Sequence, residues 1–333
     1  MILKINFSRW IAARRTSCQD QPQSARRTRP ETAFVDQRSL RRLVRCSSLL
    51  PPLLAIIVVA AGPPRADGAR PVTRVATLVP FVAEALARVP GAAVVVASVR
   101  SSSVAPPLSG VLDLGSPHAP NLEILTASKP DLVVGDAAMH ATMTAALAQG
   151  GARVVLVDTG SVEGTFAGLE EVGRLVGAAD EMTRAVAESR AGISAARLAR
   201  PVATLPLFGA PGSFLVITGR TWLGDLLREL GFRNVAETAT GKERHPGYVT
   251  LSDELVAGYQ PSLVLVVAHG DREAIRTALL RRAQEAGPWQ GLRDAPLGVH
   301  VLDPTRFAAN PGLALTDAAR TLSGLAQPAA GAP

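Results

Sequence analysis

The stretch from about Thr165 to Arg200 constrains the fold more than any other part of the chain. It contains no proline, and Leu169, Val172, Val176, Met182, Val186 and Ile193 recur near the 3.6-residue spacing of one helix face. The spacing predicts a long helical segment near the middle of the sequence, with Gly173, Gly177 and Gly192 able to divide it into two helices. A helix this long acts as a strut between two halves, and the chain can bury one large core or two smaller ones, provided each flank supplies an α/β half.

Both flanks supply one. Short β-branched runs alternate with amphipathic stretches, the pattern of α/β layers with largely parallel sheets. Before the strut, strands are predicted at 74–78, 93–97, 132–134 and 154–157, and "PFVAEALARVPG" reads as a helix that stops at Pro90-Gly91. After Pro201, strands are predicted at 214–217, 263–267 and 299–302, with helices at 222–230, 253–257, 272–285 and 316–326. The expected organisation is a leader over 1–70, an N-terminal α/β lobe over 71–178, a linker helix over 179–201 and a C-terminal α/β lobe over 202–333.

Charge at first suggests a polyanionic partner. The net charge is +7, but residues 1–70 hold 13 Lys and Arg against 4 Asp and Glu, leaving 22 basic and 24 acidic residues in 71–333. The body is therefore near neutral, and a nucleic-acid reading loses its support. The leader has the order of a secretory signal: Arg41, Arg42 and Arg45, an apolar run from Leu49 to Ala61 broken by Pro51-Pro52, then small residues. That run falls short of the roughly 20 apolar residues a membrane span needs. The expected product is exported, periplasmic or at the cell surface, soluble after cleavage between Gly62 and Ala69, with an uncleaved signal anchor as the alternative. Cys18 and Cys46 both precede cleavage, so the mature chain has no thiol for a disulfide, a nucleophile or a metal.

The halves echo one another. "NLEILTASKPDLVVGD" and "LSDELVAGYQPSLVLVVAHG" each hold an acidic residue on a short helix, a proline, a buried strand and a polar residue at the strand's carboxyl edge. Ligands of open α/β sheets bind outside the carboxyl ends of strands. Asp136 and His269 stand at such ends, one per half, as a cleft between lobes requires.

Five segments, "RVATLVPFVAEAL", "PNLEILTASKPDLVV", "GRTWLGDLLRELGFRNVA", "TLSDELVAGYQPSLVLVV" and "PWQGLRDAPLGVHVLDPTRF", carry a resemblance over about 72–327 to the periplasmic substrate-binding proteins of the iron-siderophore, haem and cobalamin ABC importers. The resemblance implies two Rossmann-like lobes connected by a long backbone helix, with the ligand cleft between them. It also implies a membrane permease and its ATPase as partners, a monomer, and an iron chelate as cargo with no catalytic cofactor. By position in the family motifs, Glu123 and Glu254 would dock against permease arginines. In haem-binding members the axial ligands precede "PNLE" and follow the C-lobe strand, which matches His118 in "GSPHAPNLE" and His269 in "VVAHGD".

A neutral imidazole is a good ligand for haem iron, and Pro117 and Pro120 would stiffen the His118 loop. Further cleft candidates at strand ends and loops are Arg100 to Ser103, Trp222, Arg244, Tyr248 and Phe307. Arg100 or Arg244 would grip carboxylates, and Trp222 or Tyr248 would stack on a macrocycle. His140 and His245 read as loop histidines and His300 as a structural residue of its strand. No G-x-S-x-G, G-x-x-x-x-G-K-[ST], H-E-x-x-H or G-x-G-x-x-G is present, so an enzyme is not expected. A ferric siderophore or cobalamin is the alternative cargo. The proline-free linker, without glycine-rich hinges at both ends, predicts limited lobe rotation.

Overall fold

A computed structural model describes residues 71–89, 93–99, 110–210, 212–285 and 287–327. The leader and the 100–103 segment lie outside the described residues. In the N-terminal lobe, β1 (Arg74–Thr77), β2 (Val94–Ser98), β3 (Leu112–Asp113), β6 (Leu132–Asp136) and β7 (Arg153–Val157) form a parallel sheet in the order β3-β2-β1-β6-β7. A small hairpin, β4 (Gly115–Ser116) and β5 (Ala119–Pro120), precedes β6. The helices of this lobe are α1 (Pro80–Arg88), α2 (Leu122–Ala127), α3 (Ala137–His140) and α4 (Thr144–Leu147). β6 is buried along its whole length, as a central parallel strand covered on both faces should be.

The strut is two helices, α5 (Val162–Leu175) and α6 (Ala179–Ala195), broken at Gly177, whose φ of 77° only glycine adopts readily. They pack on each other so closely that a Cβ on Gly173 would lie 2.5 Å from the Met182 Cβ.

The C-terminal lobe adds β8 (Val202–Ala210), β9 (Ser213–Ile217), α7 (Trp222–Leu230), β10 (Phe232–Asn234), β11 (Glu243–His245), β12 (Tyr248–Thr250), α8 (Asp253–Ala257), β13 (Leu263–Ala268), α9 (Arg272–Gln284), α10 (Gln290–Arg293), β14 (Val299–Leu302), α11 (Pro304–Phe307) and α12 (Leu315–Leu325). Its sheet runs β11-β12-β9-β8-β13-β14, with β10 also on β8. The β8, β10, β13 and β14 pairings are parallel, and β9, β11 and β12 form an antiparallel wing.

β8 is a central strand that periodicity does not announce, because Pro206 lacks the N–H a central strand normally donates. The register removes the conflict. On the edge away from β13, β10 ends opposite Thr204 and β9 begins opposite Leu207, so Pro206 falls in the gap between two partners.

One apolar cluster runs through both lobes. It contains Val75, Phe81 and Leu132 of the first, Phe166, Met182 and Val186 of α5 and α6, and Trp222, Leu265 and Phe307 of the second. Polar bonds cross the same junction. The buried Asp225 carboxylate of α7 accepts the Val162 N–H at the start of α5 at 2.9 Å, and its other oxygen pairs with Arg228. Asn310 Nδ2 donates to the Thr159 carbonyl (2.9 Å) and to Thr165 Oγ1 (2.7 Å). Arg190 of α6 grips Glu163 of α5 at 2.5 Å, which holds that carboxyl below its ordinary pKa.

Candidate functional site

The two histidines expected as ligands, His118 and His269, lie one in each lobe. His118 occupies the tip of the β4–β5 hairpin, in a two-residue loop with Pro117, and is exposed. His269 follows the carboxyl end of β13. Its N–H donates to the Gly209 carbonyl at 2.7 Å, and Gly270, at φ 116°, then turns the chain so that Asp271 can cap α9. Among the described residues, neither imidazole has a ring hydrogen bond, so both keep a nitrogen for an incoming ligand. No described contact joins the two rings directly.

His269 packs at a tilt of 32° on Phe208 of β8, with ring centroids 5.5 Å apart, and Tyr248 of β12 meets the same Phe208 edge-on at 5.7 Å. Phe208 is therefore the residue that joins His269 to Tyr248. It escapes sequence reading because β8 itself does. Burial pushes the Tyr248 hydroxyl above its usual pKa, so at neutral pH it is a neutral phenol and not a phenolate.

The β11–β12 hairpin turns at Pro246-Gly247, with Gly247 at φ 83°, the left-handed second position a type II turn requires. His245 is thus an exposed strand residue of this hairpin, a correction to its reading as a loop histidine. The Arg244 side chain lies outside the described residues, as does Arg100. Beside the hairpin, Arg220 pairs with Glu243 at 2.5 Å, and Glu243 also accepts the Gly247 N–H. The Arg220 carbonyl lies 3.6 Å from where a Cβ on Gly160 would stand, so this arginine sits at the lobe junction.

Three other expectations change. Trp222 is 7% exposed and belongs to the shared core, because the first turn of α7 buries its apolar face against α5 and α6; it is not placed to stack on a cargo from solvent. Phe307 is likewise core, at 3% exposure. His140 is no loop residue: it ends the one-turn helix α3 and is fully buried. His300 is the strand residue expected, with Nε2 2.8 Å from the Leu297 carbonyl.

Glu123 and Glu254 occupy equivalent places. Asn121 caps α2 through the Ile124 N–H, and Ser252 caps α8 through the Leu255 N–H. Each glutamate is the second helical residue after its cap, and both are exposed. Both helices start at the carboxyl side of their sheets, since α2 leads into β6 and α8 into the parallel strand β13. The Glu254 carboxyl is held below the usual range by its own backbone N–H and by the Ser252 hydroxyl. Next to it, the Trp289 indole donates to Asp253 at 2.6 Å, under the Arg282 guanidinium 4.7 Å from the ring.

Two α/β lobes joined through a helical strut are the architecture of a two-lobed substrate-binding fold. The chain belongs to the periplasmic binding protein family, which it matches over residues 75–321. It is 25% identical over 198 residues to the high-affinity heme uptake system protein IsdE of Staphylococcus aureus, an alignment covering 58% of this chain and 66% of IsdE, just under two thirds of that relative.

Solved structures with a similar fold include the following three. An ABC transporter substrate-binding protein from Listeria monocytogenes matches at TM-score 0.65 and 22% identity, over 76% of this chain and 98% of that one. IsdE complexed with heme matches at 0.62 and 21%, over 76% and 98%. Staphylococcus aureus SirA complexed with staphyloferrin B matches at 0.62 and 18%, over 78% and 94%. No described helix is long and apolar enough to cross a membrane.

Proposed function

We propose that this protein is the extracytoplasmic binding component of an ABC importer. It captures haem between its lobes with His118 and His269 as the axial ligands and presents it to a membrane permease through Glu123 and Glu254. The observation that carries the reading is the pair of exposed imidazoles, one per lobe, neither spent on a ring hydrogen bond to a described residue. Iron held by two nitrogens would be six-coordinate, which suits carriage and leaves no open position for oxygen chemistry. The aromatic floor of Phe208 and Tyr248 beside His269 offers a macrocycle apolar contact. The sequence likeness to IsdE supports the same cargo.

Among the described residues, no group of three or more His, Cys, Asp and Glu side chains converges, so a bare cation has no ligand set there. A ferric siderophore is the second reading, favoured by the equal likeness of the fold to SirA.

Hemin titration of the exported chain decides between them. The haem reading expects a low-spin, six-coordinate visible spectrum that His118→Ala converts to a five-coordinate or high-spin one. A wild-type spectrum indifferent to that substitution would transfer the cargo to the siderophore class, for which tryptophan quenching by ferric chelates is the measurement. The docking role is separable. Glu123→Ala with Glu254→Ala is expected to leave hemin affinity within twofold and to abolish uptake by cells carrying the permease; weakened hemin binding in that variant would place the glutamates in the cargo site instead.

A further inference from the structure

The buried His140 is not used by any role assigned so far, and its bonds reach from the core to the turn that carries His118. Its Nδ1 accepts the Asp136 N–H at 2.8 Å, and its Nε2 lies 2.8 Å from the Pro117 carbonyl. An amide N–H can only donate and a carbonyl can only accept, so the ring is the neutral tautomer with its proton on Nε2. The site is shaped for it: a Cβ on Gly135 would lie 3.3 Å from the His140 Cβ and 3.4 Å from Nδ1. Asp136, which supplies the N–H, is itself fixed, its carboxylate accepting from the Met139 N–H (2.6 Å) and from the Thr159 hydroxyl.

The His118 turn needs such an anchor. Two-residue hairpin loops favour turns with positive φ at their first central residue. Proline cannot adopt that at position 117, and His118 is not left-handed either. The ladder behind the turn is only two residue pairs, Gly115 with Pro120 and Ser116 with Ala119. Within the turn, among the described residues, there is a single further side-chain bond, from the His118 N–H to Ser116 Oγ at 3.2 Å. The base of the hairpin is tied to the core by buried Leu114 and Pro120 and by the bonds from Leu114 N–H to the Ser98 carbonyl and from Asn121 N–H to the Leu114 carbonyl; among the described residues, the bond that reaches the turn itself from the core is the one to the Pro117 carbonyl.

We infer that His140 is the positioning residue for the His118 turn, and that its Nε2–H bond to the Pro117 carbonyl sets where the His118 imidazole is offered to the cargo. For its effect on capture, the inference rests on the haem reading above. Its effect on the hairpin does not.

Two isosteric substitutions separate the bonds. In His140→Gln the amide nitrogen takes the place of Nε2 and keeps the Pro117 bond, leaving the Asp136 N–H unpaired. In His140→Asn the amide oxygen takes the place of Nδ1 and keeps the Asp136 bond, leaving the Pro117 carbonyl unpaired. Each variant loses one buried hydrogen bond and the smaller Asn also leaves the larger cavity, so global stability is measured alongside, and a purely structural role predicts that any loosening of the turn tracks the global loss in both variants.

The inference predicts a difference. In cargo-free protein, hydrogen exchange of the amides of Gly115, Ser116, His118, Ala119 and Asn121 accelerates at least tenfold in His140→Asn and stays near wild type in His140→Gln. With hemin, His140→Gln keeps the six-coordinate spectrum, and His140→Asn loses about tenfold or more in affinity, the scale seen when a ligand's supporting partner is removed. Equal exchange in the two variants would overturn it. So would a wild-type nitrogen-correlated NMR spectrum showing the His140 proton on Nδ1, a measurement that needs no variant. Should wild type show no His118-dependent hemin spectrum, the haem reading fails, and the exchange comparison alone decides the role of His140.

Discussion

Phe166→Ala is expected to lower stability by about 3–5 kcal/mol and to lower it for both lobes together. Phe166 has no exposed surface and lies on α5 inside the cluster that joins the N-terminal sheet to α7 and the C-terminal sheet. The Arg190 guanidinium covers its ring at 4.8 Å while also holding Glu163, so the truncation removes a cation–π contact as well as apolar burial. Each lobe also has a buried cluster of its own, around Leu125 in the first and Leu207 in the second; if these melted independently of the shared one, the variant would show two calorimetric transitions, one shifted and one at the wild-type temperature. A continuous core requires a single transition, displaced downward on the order of 10 °C for a body of this size. Scanning calorimetry on the chain from residue 71 gives the answer.

His269→Ala carries the largest expected effect on function. On the haem reading it removes one iron–nitrogen bond and the ring that packs on Phe208, and the affinity for hemin should fall by at least about tenfold, equivalent to 1.4 kcal/mol. The residual complex should be five-coordinate through His118, and exogenous imidazole should restore the six-coordinate spectrum by filling the space the side chain left. Phe208→Leu provides the contrast: it keeps both ligands, so the spectrum should persist while affinity declines. A His269→Ala protein that binds hemin like wild type would remove His269 from the site.

The sequence makes the parallel layers legible because their strands are dense in Val, Leu and Ile and their helices carry clean apolar faces. The starts of α7, α8 and α9 are equally readable, since Thr221, Ser252 and Asp271 are caps by residue type and by position. What escapes are features whose meaning depends on partners distant in sequence. Pro206 argues against a central strand until the register shows that nothing pairs with it on one side. Phe208 is then hidden with its strand. Trp222 has the size and position of a cleft aromatic, and only the packing of α7 on the strut turns it inward. His140 looks like any histidine in a polar loop; its significance lies in a carbonyl 23 residues earlier. Spacing reveals which face a residue shares with its neighbours along one element, and it is silent about which turn from elsewhere comes to rest on that face.

The shared interior of the two lobes has a consequence for unloading. Halves that own a common oily centre would expose it to water on swinging apart, so on the importer reading little of the work of release would come from a hinge between them. On that reading, unloading would fall to the rim, at the small proline-tipped hairpin or its neighbours, with the body of the molecule staying as it was.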